Sequence, residues 1–243
     1  MTALLFFVVA IFYSAVGFGG GSSYIAILVL FDYPYQLIPI IALICNLIVV
    51  SGNVFHFSKR GHFSWPLFWP YAVSSIPMAY IGGKVLISKE HFLGLLGICL
   101  FLVALKLLLL DRIKPISQPP RKPNIPIGIF VGSVLGFLSG ILGIGGGIFL
   151  SPILLLLRWG QPKQIATTAA FFIFLNSLSG LVGQISKQHE NFHLSSLWIL
   201  FLAVFMGGQI GSRMGSGTLV SQKFVKNLTA ALILVVAIRL LWP

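Results

Sequence analysis

Side chains suited to catalysis are scarce in this sequence, and the groups best placed to bind something are backbone amides. Gly17-Phe18-Gly19-Gly20-Gly21 recurs as Gly143-Ile144-Gly145-Gly146-Gly147, at an offset of 126 positions. Glycines permit tight turns and let a ligand approach the backbone closely. Each motif lies within a long charge-free apolar run. A helix starting just after it, near Ser22 or Ile148, presents unpaired N–H groups and the positive end of its dipole. That arrangement suits an anion. Glycine triplets also serve simply to let helices pack closely. Their repetition at the head of two equivalent segments favours the binding role. Gly19, Gly20, Gly21 and Ser22, with Gly145, Gly146 and Gly147, are therefore the expected substrate cradle.

Asn46 and Asn176 fall mid-run in equivalent apolar segments. An amide at membrane depth needs a partner, either substrate oxygens or a neighbouring helix. Thr167 and Thr168 lie early on the Asn176 helix. Their hydroxyls either line the same cavity or bond back to their own helix. Lys84 and Arg213 close equivalent helices, where they attract anions at two mouths or snorkel to lipid headgroups. Lys106 and Arg239 read as snorkelling anchors. The acids are Asp32, Glu90, Asp111 and Glu190, all at run ends or in loops. Proton and cation pumps usually carry acids within the membrane, so an acid-based proton relay is not expected. His56, His62, His91, His189 and His193 also sit near loops. Cys45 and Cys99 lie in apolar runs with neither zinc nor disulfide spacing and read as buried thiols. There is no His-Glu-x-x-His, no Gly-x-Ser-x-Gly and no phosphate-binding loop motif. Neither an enzyme nor an ATP-driven pump is expected, and no metal or cofactor.

The elements that position these residues must be membrane helices. Hydrophobic residues make up 57% of the 243, charged residues 8%, and mean hydropathy is +1.00. A soluble domain carries about 25% charged residues. A spanning helix needs roughly 20 mostly apolar residues. The charge-free runs 1–31, 33–58, 61–83, 123–157, 164–186 and 194–212 supply several, and 92–110 and 224–242 add two with terminal cations. None shows the alternation of a strand barrel. The N-terminal run lacks a basic leader, so no cleaved signal peptide is expected. Net charge is +12, but the cations lie between apolar runs, where topology signals belong. They suit anionic headgroups better than nucleic acid.

Further landmarks repeat in order. Asn46 matches Asn176, Ile81-Gly82-Gly83-Lys84 matches Ile210-Gly211-Ser212-Arg213, and Val103-Ala104-Leu105-Lys106 matches Val236-Ala237-Ile238-Arg239. Asp111 to Pro126 is rich in proline and charge, as an exposed linker is. The expected organisation is a membrane repeat over 1–110, a linker over 111–126 and a second repeat over 127–243. If the chain crosses straight through each glycine motif, Lys and Arg divide 9 to 7 between the two sides. If it reverses there, the split is 12 to 4. Positive residues concentrate on the cytoplasmic side, so reversal is preferred. The fold expected is all-α and integral to the membrane, with two inverted-topology repeats. Each is a Gly-broken helical hairpin plus three transmembrane helices. The linker is then cytoplasmic. The same split serves eight or ten spans.

The paired glycine motifs, with Ser151-Pro152 and Ala166-Thr167-Thr168-Ala169 after the second, resemble the TauE/SafE sulfite-exporter family. The resemblance extends over nearly the whole chain. It implies a cell-membrane permease for a small sulfur oxyanion, organosulfonate or carboxylate. The first half departs from the pattern, with Ser22-Ser23-Tyr24 after its glycines and no Thr-Thr pair before Asn46. The two halves are therefore expected to contribute unequally. The partners implied are a small anion and the bilayer, with a homo-oligomer left open. A non-transporting membrane assembly subunit is the alternative reading. For a transporter, export driven by an inside-negative potential needs neither ATP nor a proton relay.

Overall fold

The computed structural model describes residues 1–16, 19–59, 63–109, 121–187, 197–214 and 222–241. Gly17, Phe18, His62, Asp111, His189, Glu190 and His193 lie outside the described residues, as does most of the linker. Helices α1 (Thr2–Val16), α2 (Gly21–Leu30), α3 (Leu37–Lys59), α4 (Trp65–Lys84) and α5 (Lys89–Leu109) precede the linker. Helices α6 (Ile125–Leu142), α7 (Gly147–Leu157), α8 (Pro162–Lys187), α9 (Trp198–Met214) and α10 (Gln222–Leu241) follow it. No strand occurs among the described residues. Asn124 caps α6, its side chain accepting from the Ile127 amide, and Pro126 sits in the first turn.

Glycine geometry breaks both leading apolar runs. Gly20 has φ 81° ahead of α2, and Gly143, Gly145 and Gly146 have φ 80°, 81° and 73° between α6 and α7. Other residues pay about 1–2 kcal/mol to enter this left-handed region. The products are short helices of 10 and 11 residues. At 1.5 Å per residue each spans about 15–17 Å, roughly half a hydrocarbon core. Residues Gly21 to Val29 of α2 are all buried. A helix apolar on every side belongs in an interior, where broken backbone is tolerated at membrane depth. Among the described residues, three segments are long and apolar enough to cross: Leu37–Phe55, Ile125–Leu142 and Lys163–Lys187. Helices α1 and α9 are shorter, at 15 and 17 residues.

Small residues bring the helices together. Gly128, Gly132, Gly136 and Gly140 of α6 press in order on Pro70, Tyr71, Ser75 and Ala79 of α4. Membrane helices, lacking a hydrophobic drive to associate, rely on such close packing. The ascending order means that α4 and α6 run in the same direction. Along α8, Asn176 bonds Ser75, Ser179 bonds the Ile76 carbonyl and Lys187 bonds the Val85 carbonyl. Thus α8 runs the same way as well. In the other half, Gly207 and Gly211 of α9 meet Phe7 and Ile11 of α1, again in parallel. Two contacts join the helix ends. The Arg121 amide donates to the Arg158 carbonyl at 2.7 Å, and Arg239 pairs with Asp32 at 3.8 Å.

Candidate functional site

An α-helix leaves its last four carbonyls without internal partners. The end of α6 is buried, so those groups need protein donors. Gln184 of α8 supplies one, its Nε2 donating to the Gly140 and Ile141 carbonyls at 2.7 and 3.2 Å. Asn46 of α3 supplies another. Its Nδ2 donates to the Gly143 and Ile144 carbonyls at 3.5 and 3.3 Å. The second glycine turn is thus held by amides from both halves of the chain.

The first glycine turn meets the same side chain. A methyl group on Gly21 would stand 2.6 Å from Asn46 Nδ2 and 2.7 Å from the Ile144 carbonyl oxygen. One on Gly19 would stand 2.6 Å from Asn46 Oδ1. Only glycine allows this approach. Asn46 therefore lies between the two turns, fully buried. A recess opens beside it, lined by Tyr13, Gly19, Gly20, Gly21, Ser22, Asn46, Ile144, Ile148 and Ile173. It is narrow, with room for about one water molecule. Gly20, the N-cap of α2, makes no side-chain cap. The Ser23 and Tyr24 amides donate to the Gly20 carbonyl, so the Gly21 and Ser22 amides are the ones that keep donor capacity beside the recess. Tyr13 and Ser23 share a hydrogen bond at 2.8 Å behind this wall.

The expected residues divide. Gly19, Gly20, Gly21, Ser22 and Asn46 converge on the recess. Gly145 backs Asn46 and Ser177, whereas Gly146 and Gly147 pack on Phe172 and Ile173. The second motif contributes carbonyls and apolar wall, and the first contributes the helix N-terminus. Asn176 turns away to Ser75 of α4 at 3.1 Å and to its own helix at Phe172. Thr167 back-bonds to the Lys163 carbonyl at 2.8 Å. Thr168 is buried with no partner for its hydroxyl and does not line the recess. Lys84 is exposed, its ammonium 5.3 Å from the centre of the Tyr80 ring. Arg213 is exposed in the last turn of α9. Among the described residues, no three His, Cys, Asp or Glu side chains gather as metal ligands.

Sequence reasoning missed Tyr13, Ile144, Ile148 and Ile173 as walls, Gln184 as a carbonyl donor and Ser177 behind Gly145. Gln184 carried a signal, as an amide in an apolar run. The isoleucines carried none.

This architecture can be set beside known proteins. A family model described as Sulfite exporter TauE/SafE matches residues 2–240. The chain belongs to the TauE/SafE family. A probable membrane transporter protein of Sinorhizobium fredii is 33% identical to this TauE/SafE chain, over 99% of it and 97% of the relative. One from Bacillus subtilis is 27% identical over 84% and 82%. One from Methanocaldococcus jannaschii is 29% identical over 76% and 72%. No solved structure matches. As a TauE/SafE member the chain is a membrane transporter and not an enzyme, as its residues led us to expect.

Proposed function

We propose that the chain exports a small anion of the sulfite or sulfonate type by alternating access between two inverted repeats. The observation that carries this reading is Asn46, buried between both glycine turns and beside the uncapped start of α2. Helix N-termini at broken segments are where transporters hold anionic groups. The recess is closed around about one water molecule, so passage requires the halves to move. Parting the first glycine turn from Asn46 would widen the recess and leave the Asn46 bonds to the second turn in place.

Several contacts support inversion. Helices α4, α6 and α8 share a direction, so the short α7 must carry the chain back between α6 and α8. A straight crossing at each glycine motif would put Asp32 and Arg239 on opposite faces, yet they pair. The same holds for Arg121 with Arg158 and for Val85 with Lys187. With α2 and α7 as half-length returns, each repeat has three full crossings besides its hairpin. The 12 to 4 cation split then places the linker in the cytoplasm of a cell-membrane protein. Lys84 and Arg213, at opposite faces, raise local anion concentration there. The substrate and the bilayer are the partners, and nucleic acid is not one.

Flux from proteoliposomes tests the reading. An inside-negative potential favours anion exit by about 2.3 kcal/mol per charge per 100 mV. For a monoanion that sustains roughly a forty- to fifty-fold gradient. Sulfite efflux should accelerate when a potassium diffusion potential makes the interior negative, and persist with the pH gradient collapsed. Absence of anion flux would rule the proposal out. Flux that follows pH alone would replace voltage drive with proton coupling.

A further inference from the structure

Resting on the anion-transport reading, we propose that the recess selects an oxyanion carrying its own hydrogen-bond donor: a singly protonated ion such as hydrogen sulfite, not a fully ionised dianion. One wall offers donors: the Ser23 and Tyr24 amides are taken by the Gly20 carbonyl, and those of Gly21 and Ser22 are left at the start of α2. Ionised oxygens satisfy them. The Asn46 wall is different. Its Nδ2 faces the Gly143 and Ile144 carbonyls. Carbonyls only accept, so the nitrogen must be the atom turned to them. The oxygen is thereby turned to Gly19 of the first glycine turn, 2.6 Å from where a methyl there would stand, while at Gly21 the nitrogen is the nearer atom.

Asn46 Oδ1 is buried and has no hydrogen-bond partner among the described residues. Buried polar atoms are nearly always partnered, and an orphan is costly. A dianion with acceptor oxygens alone would oppose lone pair to lone pair. A ligand hydroxyl donates to Oδ1 while its ionised oxygens accept from α2. Charge points the same way. Among the described residues no Lys or Arg lines the recess, so a second negative charge would meet no counter-charge there, and burying it would be expensive. The titratable side chains around Asn46 are Tyr13 of α1, Tyr24 of α2 and Cys45 of α3. Such groups ordinarily ionise above neutrality, so below it a pH dependence of binding belongs to the ligand.

Equilibrium binding to the purified full chain provides the test, with sulfite, methanesulfinate and sulfate as probes. Methanesulfinate replaces the hydroxyl of hydrogen sulfite by methyl at equal charge and similar shape. Sulfite affinity should fall as pH rises through its second ionisation, approaching about tenfold per unit for one proton taken up with the ligand. In mildly acid solution methanesulfinate should bind roughly ten- to a hundredfold more weakly than sulfite. Sulfate should bind weakest. Asn46→Leu, which removes the acceptor, should bring sulfite and methanesulfinate close together. Should that variant fail to fold, the ligand pair on the unaltered chain is decisive alone. Equal binding of the pair, or sulfite affinity that is constant or rising with pH, overturns the proposal. Binding of none of the three ions overturns the anion-transport reading itself.

Discussion

Gly20 and Gly146 hold the same place in their motifs and differ in surroundings. Both have positive φ, and a side chain at Gly20 would enter the space between Tyr13 and Tyr24 while one at Gly146 would strike Phe172. Valine at either site adds bulk where the backbone already disfavours it, by at least about 1–2 kcal/mol. Gly20→Val should abolish anion binding while leaving some folded protein, because Gly20 lines the recess itself. Gly146→Val should weaken binding through displacement of the second turn. Ligand titration beside size-exclusion chromatography checks both. Normal binding by both variants would make the turns packing features. The exposed cations act at longer range. Lys84→Ala and Arg213→Ala should slow flux most at low ionic strength, since exposed charges are screened over about 8 Å at physiological salt. Flux insensitive to salt in both variants would mean that they only anchor the helices.

At the level of the helices, the α4–α6 contact is built from backbone in place of side chains. Gly136 and Gly140 lie directly against Ser75 and Ala79 of α4. The equivalent places in α1 are taken by Ala10 and Ser14, and Ser14 donates to the Gly208 carbonyl of α9 at 2.8 Å. Both interfaces therefore depend on small residues one turn apart. Gly136→Leu should force α4 and α6 apart and cost about 1–3 kcal/mol, as overpacking does. A lowered thermal midpoint and loss of monodispersity would register it. Gly94, with nothing within 4 Å of an added methyl, provides the control: Gly94→Ala should leave stability unchanged. Equal behaviour of the two variants would refute the packing account.

Across the whole molecule, the proposed inverted arrangement puts paired helix ends on shared faces. Asp32 and Arg239 share one, and Arg121 and Arg158 share another contact. With Cys45 and Cys99 both buried, introduced cysteines can be read against little background. Ser88→Cys and Lys122→Cys, both at exposed positions, should react with an impermeant thiol reagent from opposite sides of the membrane. Ser88 should label in intact cells and Lys122 only after permeabilisation. Labelling of both from one side would defeat the inverted topology.

The sequence by itself determined the membrane class and the two broken segments, and it singled out Asn46 as an amide in need of a partner. Each of these is local: run length sets spanning capacity, glycine licenses positive φ, and a lone amide in an apolar run must find a partner. That the halves differ was legible in Ser22-Ser23-Tyr24 and the missing Thr-Thr pair; how the two amides would differ was not. Asn46 and Asn176 occupy matching places in sequence, yet one grips the second glycine turn and the other grips Ser75. Which partner an amide meets depends on the helix packed opposite it. The same reason separates Thr167, satisfied by its own helix, from Ile173, which became a wall. The sequence reading passed over the four-residue spacing of Gly128, Gly132, Gly136 and Gly140, and nothing local told that it would seat on α4. Only tertiary packing chose that neighbour, as it chose the carbonyls that the Asn46 amide meets.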